Sequence, residues 1–225
     1  MTNEEIFSFI DHTLLAATAD RPAVRTLCEE ALRYGMASVC VPPIYVPEIR
    51  SWYPEGLRIC TVVGFPLGFQ AVPVKVFETG EAIGEGADEI DMVVGLTRVK
   101  NGSFDEVRRE IEAVRAAAGG RILKVIVETS VLTEEEKIRL CYCVSDAGAD
   151  YIKTSTGFSD GGAVLSDVRL FREHLDPGVK IKAAGGIRTR RQLEDFLAAG
   201  CVRIGTSRAL SILLGEKGDP PACTY

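Results

Sequence analysis

Two apolar runs of the sequence each end in a lysine that is soon followed by glycine. They are Asp150-Tyr151-Ile152-Lys153-Thr154-Ser155-Thr156-Gly157-Phe158 and Val179-Lys180-Ile181-Lys182-Ala183-Ala184-Gly185-Gly186-Ile187. In parallel α/β sheets ligands bind at the carboxyl ends of strands. A lysine placed there can act as an amine that attacks a carbonyl, beside a turn suited to an anion. An ordinary lysine titrates at about 10.4 and is an unreactive ammonium at neutral pH. A nucleophilic lysine needs that value lowered by an apolar wall or a second cation. On adjacent strands, Lys153 and Lys182 are expected to lower each other, leaving one as a Schiff-base amine. Either lysine alone reads as a solvated strand-end residue with its stem along the wall; the matched pair favours chemistry.

The segment Glu89-Ile90-Asp91-Met92-Val93 puts Glu89 and Asp91 on one face of a strand. An inward carboxylate in an apolar strand needs a partner, which a lysine across the sheet would supply as an acid–base pair. A structural ion pair is equally open for Asp91, and is the favoured reading for Glu128. Gly157, Gly185-Gly186 and Gly205-Thr206-Ser207 follow the last three strand signals. Glycines let backbone N–H groups approach an anion, and helix N-termini favour negative charge. Each glycine alone reads as a turn residue; their concentration on three successive loops points to an anion site, to which Ser207 and Arg208 add a hydroxyl and a charge.

Other chemistries find little support. There is no P-loop pattern, and Gly84-Glu85-Gly86 does not extend to a dinucleotide fingerprint. His12 and His174 are the only histidines, which argues against a metal site with several histidine ligands. His174 is expected at the surface, and His12 as structural or at the site's mouth. Cys141-Tyr142-Cys143 has no matching pair and reads as buried thiols rather than a metal site.

Eight strand–helix units must hold these residues. Helical spacing or capping signals mark a leading helix at 3–10, then 22–34, 45–52, 72–85, 104–118, 133–147, 165–174, 189–198 and a closing 206–214. Strands are predicted at 10–15 with its loop, 37–41, 57–63, 89–93, 122–127, and around Lys153, Lys182 and 202–205. The fifth is apolar throughout except for Lys124, as for a strand buried on both faces. Short connections and eight βα repeats predict a single-domain α/β fold, a (β/α)8 TIM barrel over 1–214 with a short N-terminal helix. An open doubly wound sheet is the alternative. Residues 215–225, with Gly and Pro-Pro, read as a mobile tail.

The chain of 225 residues is 46% apolar and 26% charged, with a net charge of −6. Such a balance supplies no global basic field for nucleic acid or anionic membrane, and no apolar run approaches the ~18 residues of a span. Seven cysteines, mostly in apolar runs, and an acidic N-terminus without signal-peptide character predict a cytoplasmic protein.

Lys153-Thr-Ser-Thr-Gly-Phe158, Lys182-Ala-Ala-Gly-Gly-Ile-Arg188 and Glu89-Ile-Asp-Met-Val93 resemble the signatures of deoxyribose-phosphate aldolases, as do Asp11-His-Thr-Leu-Leu15, Val39-Cys-Val-Pro-Pro43 and Val63-Gly-Phe-Pro-Leu-Gly68. The resemblance runs in order over nearly the whole chain. It implies a class I aldolase that needs no metal or cofactor and reversibly cleaves 2-deoxy-D-ribose 5-phosphate to acetaldehyde and D-glyceraldehyde 3-phosphate. By the same resemblance Lys153 forms the Schiff base, while Lys182 perturbs it and relays protons with Asp91. Thr13 and Cys40 would line the pocket, and Thr156, Gly157, Gly185, Gly186, Gly205 and Ser207 would hold the substrate and its phosphate. Arg208 stands where family members often carry a second serine. Tyr225 is similar to a terminal tyrosine that reaches the active site in some members, and a homodimer is the family's habit. Another phosphosugar barrel enzyme, an aldolase or an isomerase, and a non-catalytic phosphosugar-binding protein are the competing readings.

Overall fold

The computed structural model describes residues 1–215; the remainder of the predicted tail, with Tyr225, lies outside the described residues. A short helix α1 (Asn3–Phe7), capped reciprocally by Thr2 and Glu5, precedes the first strand. The strands are β1 (Ile10–Thr13), β2 (Ser38–Val41), β3 (Ile59–Val63), β4 (Glu89–Val93), β5 (Ile122–Ile126), β6 (Tyr151–Lys153), β7 (Lys180–Ala184) and β8 (Arg203–Thr206). Each pairs in parallel with the next, and β8 closes on β1 with Ile10 opposite Ile204. The closed barrel agrees with the sequence expectation and replaces the open-sheet alternative.

Helices return the chain outside the barrel: α2 (Arg21–Arg33), α3 (Val46–Trp52), α4 (Val72–Gly84), α5 (Leu96–Lys100), α6 (Phe104–Ala118), α7 (Glu134–Asp146), α8 (Leu165–His174), α9 (Arg190–Ala198) and α10 (Ala209–Leu214). Their starts follow local chemistry. Asp20 accepts the N–H of Ala23 ahead of α2, and Thr133 with Glu136 and Thr189 with Gln192 form capping boxes for α7 and α9. The sequence reading lacks α5, whose single short turn carries too little periodicity to stand out.

The principal core lies between barrel and helices. Outward residues such as Ile90, Val125 and Ile152 pack among Ile111, Val144 and Phe171. The barrel interior is different: apart from a small cluster of Leu15, Cys40, Cys60 and Val62 against Phe65 and Phe158, it is filled with charge. No described helix is long and apolar enough to cross a membrane.

Candidate functional site

The two-residue period of a strand turns alternate side chains of each strand into the barrel. Asp11, Glu89, Asp91, Lys124, Lys153, Lys182 and Arg203 all point there and are buried. Lys153 and Lys182 face each other in register on β6 and β7. Asp91 lies across from them, and its Oδ2 accepts from Lys153 Nζ at 2.8 Å and Lys182 Nζ at 2.7 Å. Its Oδ1 accepts from Lys124 Nζ at 2.8 Å and from the Cys60 thiol at 3.2 Å. The predicted trio is thus one cluster, joined through a single carboxylate.

A second tier lies one strand period below. Lys124 also meets Glu89 Oε2 at 2.6 Å, Cys60 Sγ at 3.2 Å and, more distantly, Asp11. Arg203 grips Glu89 with both terminal nitrogens, at 2.9 to 3.2 Å, and donates to Asp11. Asp11 accepts from Lys182 as well and from Ser38 Oγ at 2.7 Å. These bonds satisfy buried charges that would otherwise be very costly.

The network sets the charge states. Burial opposes the charge of Asp91, yet the Lys124, Lys153 and Lys182 ammonium groups overcome it and hold the carboxyl well below its usual range. Burial likewise opposes ionisation of Asp11, where Lys182, Lys124 and Arg203 win. The expected mutual lowering of the two lysines is not what the geometry gives Lys182. Burial does push its ammonium down, but the carboxylates of Asp11 and Asp91 outweigh that and raise it above the ordinary lysine range. The mistake came from counting the neighbouring lysine without the carboxylate of β1 beside it.

Above this network opens a cavity of about 290 Å³ at the carboxyl end of the strands. The loops after β1, β6, β7 and β8 bound it, as expected for a barrel whose site lies on that face. Of the seven inward charges, Lys153 is the one that lines the cavity. Thr13, Thr156, Gly157, Gly185, Gly186, Gly205 and Ser207 line it too, with Arg188 and Arg208. Cys40 does not join the lining; it is fully buried in the apolar cluster with Cys60. The thiol pair divides its protons unequally. The bond to Cys60 lowers Cys40, and burial raises Cys60.

Several residues take roles that their types alone did not indicate. Glu128, read as an ion-pair residue, instead accepts from the Thr156 N–H at 3.2 Å, the Thr156 hydroxyl and Ser159 Oγ at 3.0 Å. It therefore holds the loop after β6 in place, and Thr156 reaches the cavity with its own polar groups already engaged. Gly185 (φ +84°) packs so tightly that a Cβ would lie 3.2 Å from Gly162 Cα and 3.4 Å from Ser155 Cβ. Gly205 has a different function: a Cβ there would lie 3.2 Å from Lys182 Cε and 3.1 Å from Ala184 Cβ. Its missing side chain makes room for the Lys182 stem. Gly205→Ala is accordingly expected to cost about 1–3 kcal/mol by overpacking, lower Tm by a few degrees and reduce turnover about tenfold, read by calorimetry and steady-state kinetics.

The two histidines lie elsewhere. His12 turns outward and its Nε2 meets Glu30 Oε2 on α2 at 2.7 Å, the structural alternative of the expectation. His174 contacts Tyr142 on the helical layer, with the ring centroids 6.2 Å apart. Cys40, Cys60 and Asp91, and likewise Asp11, Cys60 and Glu89, bring ligand-type atoms within 4.8 Å of one another. The Lys124 ammonium already bonds to Cys60, Asp91 and Glu89, so a cation of the protein's own occupies that space. Sequence reasoning missed Asp11, Lys124 and Arg203 as site members. The clearest available signal was Lys124, the one charge in the otherwise apolar strand β5; Asp11 and Arg203 stand in the short mixed strands β1 and β8.

Known proteins match this chain over nearly its full length. A curated deoxyribose-phosphate aldolase of Clostridium botulinum (strain Eklund 17B / Type B) is 50% identical over 217 residues, covering 96% of this chain and 98% of the relative. The one from Streptococcus agalactiae serotype Ia is also 50% identical, over 96% of this chain and 97% of its own. Among solved structures, the deoxyribose phosphate aldolase of Aeropyrum pernix, described as tetrameric, superposes with a TM-score of 0.86 at 32% identity, over 94% of this chain and 91% of that one. The model of the DeoC/LacD family aldolases matches residues 6–209, which include every inward charge described above. A charged barrel interior with one lysine open to the cavity thus sits within a chain that belongs to the DeoC/LacD aldolase family, and the protein is a lyase.

Proposed function

We propose that the protein reversibly cleaves 2-deoxy-D-ribose 5-phosphate to acetaldehyde and D-glyceraldehyde 3-phosphate through a Schiff base on Lys153. The observation that carries this reading is that Lys153, alone among the buried cations of the described residues, reaches the cavity, and that it shares Asp91 Oδ2 with Lys182. In this account the Lys153 amine adds to the aldehyde carbon, water leaves, and the resulting iminium draws electrons from the bond between C2 and C3 of the sugar. As that bond breaks the C3 hydroxyl gives up its proton, and the aldehyde product forms there. The enamine that remains takes a proton at C2 and is hydrolysed, which returns the water and frees Lys153. Lys182 and Asp91 handle these protons, since Asp91 Oδ2 touches the Lys153 amine and Lys182 donates to that same oxygen.

The same reading assigns the phosphate to Gly157, Gly185, Gly186, Gly205 and Ser207, with Thr13 and Thr156 beside the sugar. It supports a charged grip by Arg208 as well, because that residue lines the cavity next to Ser207. Arg208→Ala is expected to raise KM for the phosphorylated sugar about ten- to hundredfold, the worth of a charge-assisted hydrogen bond, with far less effect on unphosphorylated deoxyribose. Acetaldehyde release, coupled to an NADH-dependent reductase, measures both. An absence of deoxyribose-phosphate-dependent acetaldehyde with the wild type would reject the substrate assignment. A homodimer and a cytoplasmic location complete the proposal; sedimentation velocity reads the first and cell fractionation the second.

A further inference from the structure

Four cations meet three carboxylates inside the barrel, so the network carries one surplus positive charge when every member is ionised. The contacts are shared unequally. Lys124 reaches Asp11, Glu89 and Asp91. Lys182 reaches Asp11 and Asp91, and Arg203 reaches Asp11 and Glu89. Among the described residues Lys153 has Asp91 alone, through an oxygen that also serves Lys182. An unmatched charge is expensive where water is excluded. It falls on the cation with the fewest partners, which is also the one that opens to the cavity. With Lys153 neutral, three cations face three carboxylates.

We infer that Arg203 and Glu89 govern how readily Lys153 gives up its proton, by fixing the charge count of the sealed network from a place outside the cavity. The inference rests on Lys153 being the Schiff-base amine. Neither residue lines the cavity, and both act through Lys124, Asp11 and Asp91, so they are positioning residues rather than catalytic ones. Arginine suits this task, since it stays protonated at any working pH.

The other groups around Lys153 leave the count unchanged. On β2 the Cys40 thiol interacts with Lys153, and on β3 the Cys60 thiol meets Lys124 and Asp91. On β6 Tyr151 lies beside Arg203, with its ring 5.7 Å from the guanidinium carbon. Glu128, past the end of β5, is taken up by Thr156 and Ser159. His12 on β1 turns to Glu30 outside the barrel. Arg188 and Arg208 line the open cavity, where solvent and substrate phosphate screen them.

The count predicts opposite responses to neighbouring substitutions. Arg203→Met removes the surplus and should move the acidic limb of the kcat/KM profile up by about one pH unit, the worth of a unit charge at this range. Glu89→Gln adds a second surplus charge and should move that limb down by a similar amount. Arg203→Lys, and the pair Glu89→Gln with Arg203→Met, keep one surplus charge and should leave the limb in place even where the rate falls. A purely structural role for Arg203 would lower the rate in all four variants without moving the limb in opposite directions, and that result would overturn the inference. So would an unmoved limb accompanied by a change in thiolate absorbance, which would assign the surplus to Cys40. If Arg203→Met fails to fold by circular dichroism, Glu89→Gln and the double variant still decide between these outcomes. Borohydride trapping on the same samples separates the two levels: a wild type that never labels at Lys153 rejects the Schiff-base reading rather than this one.

Discussion

Lys153→Ala is expected to abolish imine formation and lower kcat by at least about 10⁴-fold, the scale on which loss of a covalent nucleophile acts. The fold should survive this change. Among the described residues Lys153 makes a single ion pair, with Asp91, and Asp91 retains Lys124 and Lys182 when it is gone. Removing Lys153 also removes the surplus positive charge of the network, so thermal stability should hold within a few degrees of the wild type. Lys153→Arg is a sharper comparison: it preserves charge but offers no amine able to form an imine, and should be equally inactive. A Lys153→Ala enzyme with a tenth of wild-type turnover would remove the lysine from the chemistry, whatever its position.

Asp91→Asn should damage both stability and activity. The change leaves Lys124, Lys153 and Lys182 without the carboxylate that each of them touches. Breaking a buried ion pair by removing one partner costs about 3–5 kcal/mol, which for a domain of this size lowers Tm by about 10 °C. Turnover should fall by about 10²–10⁴, as for loss of a general acid–base group. The stability effect has a defined pH dependence. Native Asp91 is held well below the ordinary carboxylate range by the three ammonium groups that overcome its burial. Its contribution is therefore complete above the unfolded value of about 3.9 and is lost as pH falls toward the lower native value. The gap in Tm between wild type and Asp91→Asn should be full at neutral pH and narrow below about pH 4. A gap that widens in acid would contradict the assigned charge state.

Much of this site was legible from strand ends. Lys153 stood out because it closes β6 ahead of a glycine turn. Lys182 stood out as a second lysine in an apolar run before glycines, although β7 continues past it to Ala184 and it is not a strand-end residue. Asp91 stood out because its two-residue period with Glu89 gives a strand one charged face. The eight βα units were readable for similar reasons, since caps and apolar spacing are local. The second tier was harder to see. Asp11 and Arg203 are a single charge each in β1 and β8, 192 residues apart, and nothing local says whether such a residue faces solvent, helices or the barrel interior. Only closure of β8 onto β1 brings them together. Lys124 was visible as an interruption of β5, but its partners lie on β1, β3 and β4. The direction of the Lys182 shift failed for the same reason, because it depends on Asp11, 171 residues away in the chain.

Gly205 illustrates a different limit. A glycine after a late strand suggests a phosphate turn, and this one does line the cavity. It is also constrained by Ala184 Cβ and the Lys182 stem beside it, contacts that sequence spacing cannot reveal. Glu128 is comparable: its residue type suggested a cation, whereas its partners are the hydroxyls and N–H of the loop that follows Lys153.

The most direct measurement is borohydride reduction of the enzyme in the presence of 2-deoxy-D-ribose 5-phosphate, followed by mass analysis of the peptides, on wild type and Lys153→Ala. The account predicts a reduced adduct on Lys153 in the wild type and none anywhere in the variant. An adduct on Lys182 instead, or its persistence after Lys153→Ala, would contradict it.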